Sequence, residues 1–329
     1  MLLIWGKDKM KIAIHSNQFD GRGTGKVPLD YGLGLQNLLG HEVVCITSAL
    51  SKNEGLEVLS RDFKTFTYNK KAGDNPANEV ADAINRIIDS EKIDFIHMLK
   101  AGENDAIHPT GCKVGVHCVF NMAHNHGDVY AGVSEYLAKK HNQTAYVPHI
   151  VKNYPPTKDL RAELGIPKDA LVFGRHGGSN TFDIPFVYTA INRILNERKD
   201  VYFVFLATTP FMKHERVVFI PWAVEQQDIF NFIHACDIMI HARGAGETFG
   251  LAVGEFSVAN KPVITNGGHD TAHIWHLGER AIVYNDEHQL MDIFRQVTRE
   301  YIQDNDWDVF SQTFSEKTVT EQYKQVFLS

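Results

Sequence analysis

The chain has 329 residues, of which 43% are hydrophobic and 22% charged, and a formal net charge of −7. This is ordinary composition for a soluble globular protein, with material for roughly two domains of about 150 residues each. The acidic balance excludes a general nucleic-acid binder, whose domains are usually basic, but leaves room for a phosphate-bearing ligand held by local cations and helix ends. Cys45, Cys112, Cys118 and Cys236 show no C-x-x-C spacing, so they read as reduced, buried thiols and not as a disulfide or zinc framework. The opening MLLIWGKDKM lacks a signal-peptide core, and no run approaches the roughly 18 apolar residues of a membrane span. The expected location is the cytosol, with peripheral membrane contact left open.

Short apolar runs alternate with helix-length amphipathic segments, the pattern of βαβ units and parallel sheets. In the first half, strands are expected at 11–15, 42–47, 94–99, 113–118, 131–134 and 145–148, with helices at 28–39 and 77–89. The two prolines of 151–157, VKNYPPT, stop any sheet or helix there. A charged segment, 158–164, then leads into a second series. Its strands are expected at 171–174, 201–206, 217–221, 238–241, 262–265 and 281–284, its helices at 185–196, 225–235, 248–258 and 287–301. Asp183 and Pro185 supply an N-cap candidate and an early proline for one of them. The reading is α/β: two Rossmann-like domains facing across a cleft, 1–152 and 153–305, with a helix in 306–329 packing back across them.

The most informative stretch is HARGAGETFGLAVGEF, 241–256, followed by KPVITNGG at 261–268. It falls at a strand end, a glycine-rich turn and the first turns of a helix. Ligands of open α/β sheets bind at the carboxyl ends of strands. Glycines let backbone N–H groups approach a phosphate, and a helix N-terminus favours negative charge by about 0.3–1 kcal/mol. Acidic residues fit such a place if Glu247 faces sugar hydroxyls and Glu255, two turns on, faces a ribose. Two glutamates eight apart on an exposed helix are the alternative.

In the spacing Glu247 to Glu255, the embedded Phe249-Gly250 and the trailing KPVI and GG, the sequence resembles the retaining glycosyltransferases of family 4, which have the GT-B fold. The likeness extends over nearly the whole chain, since RAELGIPKD at 161–169 and LVFGR at 171–175 are similar to that family's entry into its C-terminal domain. The resemblance implies a nucleotide-sugar donor, UDP- or GDP-linked, and an acceptor that is a glycan, lipid or small molecule. It further implies that Glu247 touches the transferred sugar, that Glu255 holds the ribose hydroxyls, and that the backbone from Thr248 through Phe249, Gly250 and Leu251 binds the diphosphate. Arg175 falls on the family's arginine that neutralises the leaving group. The partner lysine five residues on is replaced by Asn180; Arg243 is the candidate substitute, or a surface arginine, and amides of the glycine-rich loop are the other candidate. Gly23 and Gly25 fall in the family's first glycine-rich loop, with Arg22 and Lys26 as anion binders or ordinary loop charges. The run Gly21-x3-Gly25-Lys26 is not a Walker A loop, because it is one residue short and Val27 stands where Ser or Thr would bind magnesium. His117 matches a histidine that contacts the donor sugar, with a core histidine as the alternative. Trp222 either flanks the base or packs in the core. No Asp or Cys completes a metal set with His124 and His126, so no metal is expected.

The family mechanism implies transfer with retention, without metal, protein nucleophile or tightly bound cofactor, a departing phosphate oxygen taking the acceptor's proton. Two other readings stand beside it: a nucleotide-sugar 2-epimerase on the same fold, and a lapsed nucleotide-sugar-binding scaffold, suggested by Asn180.

Overall fold

The protein is described here by a computed structural model covering residues 9–17, 19, 23–221, 223 and 225–329, with residues 23–25 described in their backbone alone. The chain divides into two compact units. The first comprises residues up to Ile150 together with Phe314–Ser329; the second is Val151–Thr313.

The first unit carries strands β1 (Lys11–Ser16), β2 (Glu42–Ser48), β3 (Lys64–Tyr68), β4 (Phe95–Lys100), β5 (Lys113–Cys118) and β6 (Val129–Gly132). Between them lie helices α1 (Gly23–Asn37), α2 (Leu56–Leu59), α3 (Ala77–Glu91) and, after β6, α4 (Glu135–Lys140). All six strands run parallel in the order β3-β2-β1-β4-β5-β6. Ile12 of the central β1 pairs with Val43 on one side and Phe95 on the other. Helices cover both faces of such a sheet, so its middle strands are apolar without alternation; β4, FIHMLK, is buried at every position.

The second unit repeats the scheme after a short helix α5 (Leu160–Glu163). Its elements are β7 (Leu171–Arg175), α6 (Pro185–Glu197), β8 (Val201–Leu206), β9 (Val217–Ile220), α7 (Gln226–Ala235) and β10 (Ile238–His241). There follow β11 (Gly246–Glu247), α8 (Leu251–Val258), β12 (Val263–Asn266), β13 (Asp270–Thr271), α9 (Ala272–Leu277), β14 (Ala281–Tyr284), α10 (Glu287–Gln296) and α11 (Arg299–Gln303). The parallel order is β14-β12-β10-β7-β8-β9, with β11 and β13 forming a separate two-stranded piece. A phenylalanine-rich core fills it, Phe173 stacking on Phe203 and meeting Phe294 edge-on.

The last helix, α12 (Glu316–Phe327), returns to the first unit and packs on α1. Gly34 permits the approach, since a β-carbon there would lie 2.3 Å from Thr320 Oγ1. Tyr323 and Phe327 are fully buried by the contact.

Besides the short elements α2, α4, β11, β13 and α9, which the sequence reading does not contain, four elements depart from it. The edge strand β3, KTFTY, is half-exposed and offers no apolar run to detect. Residues 145–148 make an isolated bridge, Tyr146 to Gly132, and not a strand; Pro148 has no N–H for a ladder. The helix expected over 287–301 is broken into α10 and α11, because the Thr298 side chain caps the Tyr301 amide and restarts the chain. Before α12, Asp308 accepts from the amides of Phe310 and Ser311 and turns the backbone, so helix begins only after the Ser315 cap.

Candidate active site

In the second sheet β8 and β9 lie on one side of β7, while β10, β12 and β14 lie on the other. The carboxyl ends of β7 and β10, neighbours through the pairing of Gly174 with Met239, therefore flank the point where strand order reverses. Ligands of open sheets bind at such points. Arg175 ends β7 and His241 ends β10, which brings two sequence-predicted regions together.

Arg175 is 3% exposed. Its guanidinium donates to Thr208 Oγ1 at 2.6 Å, to the Gly178 carbonyl at 2.8 Å and to Thr181 Oγ1 at 2.7 Å. Burial lowers its pKa to about 10, which leaves it charged at neutral pH; Glu247, Arg243 and Asp183 lie near enough for their charges to act on it. Asn180 is exposed and accepts from Thr209 Oγ1 at 2.9 Å.

The loop from Arg243 to Gly250 requires its glycines. Gly246 has φ +67°, and a β-carbon there would fall 2.0 Å from the Asp270 carbonyl oxygen. Gly250, at φ +91°, is the N-cap of α8, and a β-carbon would meet His273 at 2.8 Å. Asp183 Oδ1 accepts from the Gly244 amide at 2.8 Å and ties the loop to the start of α6. No side chain caps α8, so the orphan donors of its first turn, around Gly250 and Leu251, are not satisfied that way. Thr248 and Phe249 are buried. The Phe249 ring packs against His276 and Phe310, which leaves its backbone as the part that could serve a ligand.

Glu247 is the centre of a polar chain. Its Oε1 lies 3.2 Å from His241 Nε2 and its Oε2 accepts from Arg243 at 2.9 Å. His241 Nδ1 is 2.9 Å from Thr265 Oγ1, which in turn is 2.8 Å from His273 Nε2. The Tyr284 hydroxyl donates to the His241 carbonyl. Burial pushes the Glu247 carboxyl up, but the hydrogen bond and charge of His241, with Arg243 beside it, outweigh burial and hold it at about 2. It is therefore an oriented carboxylate, 22% exposed in its side chain. Burial, with His241 adjoining, brings His273 down to about 3. Sequence reasoning assigned no role to His241, Thr265 and His273. The signal was available in part, since His241 and Thr265 each stand at the end of an apolar strand run.

Glu255 is 3% exposed, with Oε2 3.1 Å from His176 Nε2. The His176 ring stacks on Phe256. Arg243 is committed to Glu247 in this structure, and its side chain is 26% exposed.

In the first unit, Gly23 and Gly25 lie in the opening turn of α1; Arg22 and Trp222 lie outside the described residues. Lys26 is buried, 3.7 Å from Asp30. His117 sits as the core-histidine alternative would have it. It is fully buried, with Nδ1 3.1 Å from His97 and Nε2 2.8 Å from the Val147 carbonyl oxygen, so both ring nitrogens are engaged within the unit's core. His124 pairs with Glu103, and His126 Nδ1 lies 2.6 Å from the His124 carbonyl oxygen. Among the described residues no group of three His, Cys, Asp or Glu could hold a metal ion, and no helix is long and apolar enough to cross a membrane.

No family model matches the sequence, and no curated protein matches it. Solved structures do. A glycosyltransferase from Rickettsia africae superposes with a TM-score of 0.71 at 15% identity, covering 97% of this chain and 99% of that one. HepE of Anabaena in complex with UDP-glucose gives 0.73 at 14% identity, over 96% and 98%. The fold is of the GT-B type. A putative UDP-N-acetylglucosamine 2-epimerase from Listeria monocytogenes also shares it, at 0.63 and 13% identity over 95% and 94%.

Proposed function

We propose that this chain is a glycosyltransferase that takes its sugar, with retention, from a nucleotide-sugar donor bound to the second unit. The observation that carries the reading is Glu247. It is an ionised carboxylate fixed by His241 and Arg243 at the switch point, within electrostatic reach of buried Arg175 and next to the uncapped start of α8. In this reading Glu247 accepts hydroxyl hydrogen bonds from the transferred sugar. Arg175 and the first-turn amides of α8 face the diphosphate. Glu255 takes the ribose, with His176 beside it.

The hard step is departure of a nucleoside diphosphate while positive charge grows at the anomeric carbon. Fixed cations and amides stabilise the developing phosphate charge more than the ground state, and groups of this kind are worth about 10²–10³ in rate each. Retention and metal independence follow from the resemblance to family 4. A UDP-linked donor is favoured by the UDP-glucose bound to HepE, which shares the fold. The acceptor is a glycan, lipid or small molecule. Two features favour a second reading, a binding scaffold without turnover: Asn180 replaces the expected lysine, and Arg243 is already paired.

Thermal unfolding with UDP, GDP and ADP, alone and as their sugars, is the first test, on wild type and Glu255→Ala. One nucleotide is expected to stabilise wild type and to act less on the variant; a ligand at 100 times its Kd adds about 2.7 kcal/mol. No shift with any nucleotide rejects the donor site. Stabilisation with no product from any acceptor supports the scaffold, and conversion of the donor to its epimer without acceptor supports an epimerase.

A further inference from the structure

The amino-terminal edge of the second sheet, remote from Glu247, carries a cavity of about 860 Å³. Its wall includes Arg161 of α5, Lys168, His234 of α7, Asp237 just before β10, Lys261 just before β12 and Arg299 of α11. Strand β10 separates it from the candidate active site: Asp237 stands at one end and His241 at the other, about 13 Å apart at ~3.3 Å per residue. The volume is that of a small-molecule site.

The charges there do not balance. Asp237 is the only buried carboxylate on the wall, and one of its oxygens is already spent, accepting from the Val172 amide at 2.8 Å and from Arg161 at 2.7 Å. Asp159, also on the wall, is exposed and caps the Ala162 amide of its own helix. Arg161 is fully used, since its Nε donates to the Ala235 carbonyl. Arg299 is not. It donates through Nη1 to the Lys168 carbonyl, but its buried Nε has no hydrogen-bond partner, the nearest Asp237 oxygen being 3.7 Å away. Lys261 is half-buried, and no acceptor pairs with its ammonium among the described residues. Burial lowers its pKa, against the pull of Asp237. A buried cationic donor without a partner is costly; Arg299 Nε is one, and half-buried Lys261 lines the same cavity.

We propose that this cavity is a second ligand site, which binds a small phosphate-bearing anion through Lys261 and Arg299. Arg161 and Asp237 act as the frame that holds Arg299 in place, and Lys168 adds long-range attraction from the rim. The proposal stands apart from the glycosyltransferase reading, because none of its residues belongs to the Glu247 site.

The test is lysine footprinting by mass spectrometry with an acetylating reagent, using inorganic phosphate and glycerol 3-phosphate as probes. Wild type is expected to show Lys261 labelling suppressed several-fold by millimolar probe, while exposed lysines such as Lys64 are unaffected. Calorimetric affinity for the same probes should fall about tenfold or more in Lys261→Gln/Arg299→Gln, the scale of losing charge-assisted bonds, and stay unchanged in Glu247→Ala. Phosphate bound only near Arg175 would leave Lys261 labelling unaltered and survive the double variant, and that result overturns the proposal. Because footprinting is done on wild type, a destabilised variant does not blunt the test. Protection by vesicles of phosphatidic acid in phosphatidylcholine, without protection by the free esters, assigns the phosphate to a lipid headgroup; protection by free esters assigns it to a soluble metabolite.

Discussion

Each unit holds a group of histidines, and the two groups are built for opposite ends. In the first unit His97, His117 and His149 sit together under Tyr31, Tyr323 and Phe327, all between 0% and 4% exposed. His97 and His117 are hydrogen-bonded to each other, His117 also reaches the Val147 carbonyl oxygen, and His149 Nδ1 lies 3.4 Å from the Tyr31 hydroxyl. Burial holds His117 at about 4 and His97 and His149 well below their ordinary value. In the second unit His241 and His273 form a line through Thr265 that ends on a partly exposed carboxylate. The residue type is the same, but one set fills a core and the other aims a charge at a site. What separates them is whether the hydrogen-bond chain reaches a group that meets solvent.

The largest expected effect comes from cutting the end of the second chain. Glu247→Ala should lower transfer about 10²–10³-fold or more, with nucleotide affinity within a few-fold of wild type by calorimetry; full activity would return Glu247 to the status of a structural residue. Acid should separate the two units next, because the first holds His15, His97, His117 and His149, all lowered by burial, against His273 in the line of the second. Unfolded histidines titrate near pH 6.5, while the folded values of His117 and His15 are lowered by burial to about 4 and about 3. A depressed folded value means that the unfolded chain binds the proton first, so stability is complete above pH 6.5 and falls as pH drops from there towards 4. His117 alone should cost the first unit about 2 kcal/mol between pH 7 and pH 5. Buried Cys45 and Cys118 report on that unit and buried Cys236 on the other. Thiol trapping in urea with a thiosulfonate should therefore find the first pair exposed at lower urea at pH 5, and equal loss in both units would break the comparison. The smallest effect is expected from His117→Phe. It should lower stability by about 1–3 kcal/mol, since His97 Nε2 loses its partner and the Val147 carbonyl keeps only the 3.5 Å contact from the Tyr31 hydroxyl, yet leave turnover per folded molecule within twofold. A large drop in kcat would place His117 in the chemistry after all.

These contrasts also mark what the sequence could and could not convey. Most of the strands and the glycine turn before α8 were legible because each depends on local pattern: uninterrupted apolar runs for buried parallel strands, and glycines where the backbone must turn at φ +67° and +91°. The line from Glu247 through His241 to Thr265 was not. His241 and Thr265 meet because parallel register sets them opposite each other on β10 and β12, and register is not written in either segment alone. The burial of His117 was hidden for a related reason. In β5, KVGVHC, every residue after the first is buried, so a polar residue there gives no hint of which face it takes or whether that face meets a ligand. Arg175 was placed at a strand end, but not its enclosure by Thr208, Thr181 and the Gly178 carbonyl, which comes from two separate loops.

The return of α12 to the first unit has a consequence for the order of events during synthesis. Domains usually fold as they emerge, the N-terminal one first. Here Tyr31, His97 and His117 are emitted early, but Tyr323 and Phe327, which cover them, are made only after the whole of Val151–Thr313. The second unit is one uninterrupted stretch. Translation thus runs in one direction and completion in the other: the unit begun first is closed last. Ribosome-bound chains arrested well past residue 313, but with 314–329 still in the exit tunnel, should show the later unit resistant to protease and the earlier one cleaved. Protection of both would mean that the first unit closes without its final helix.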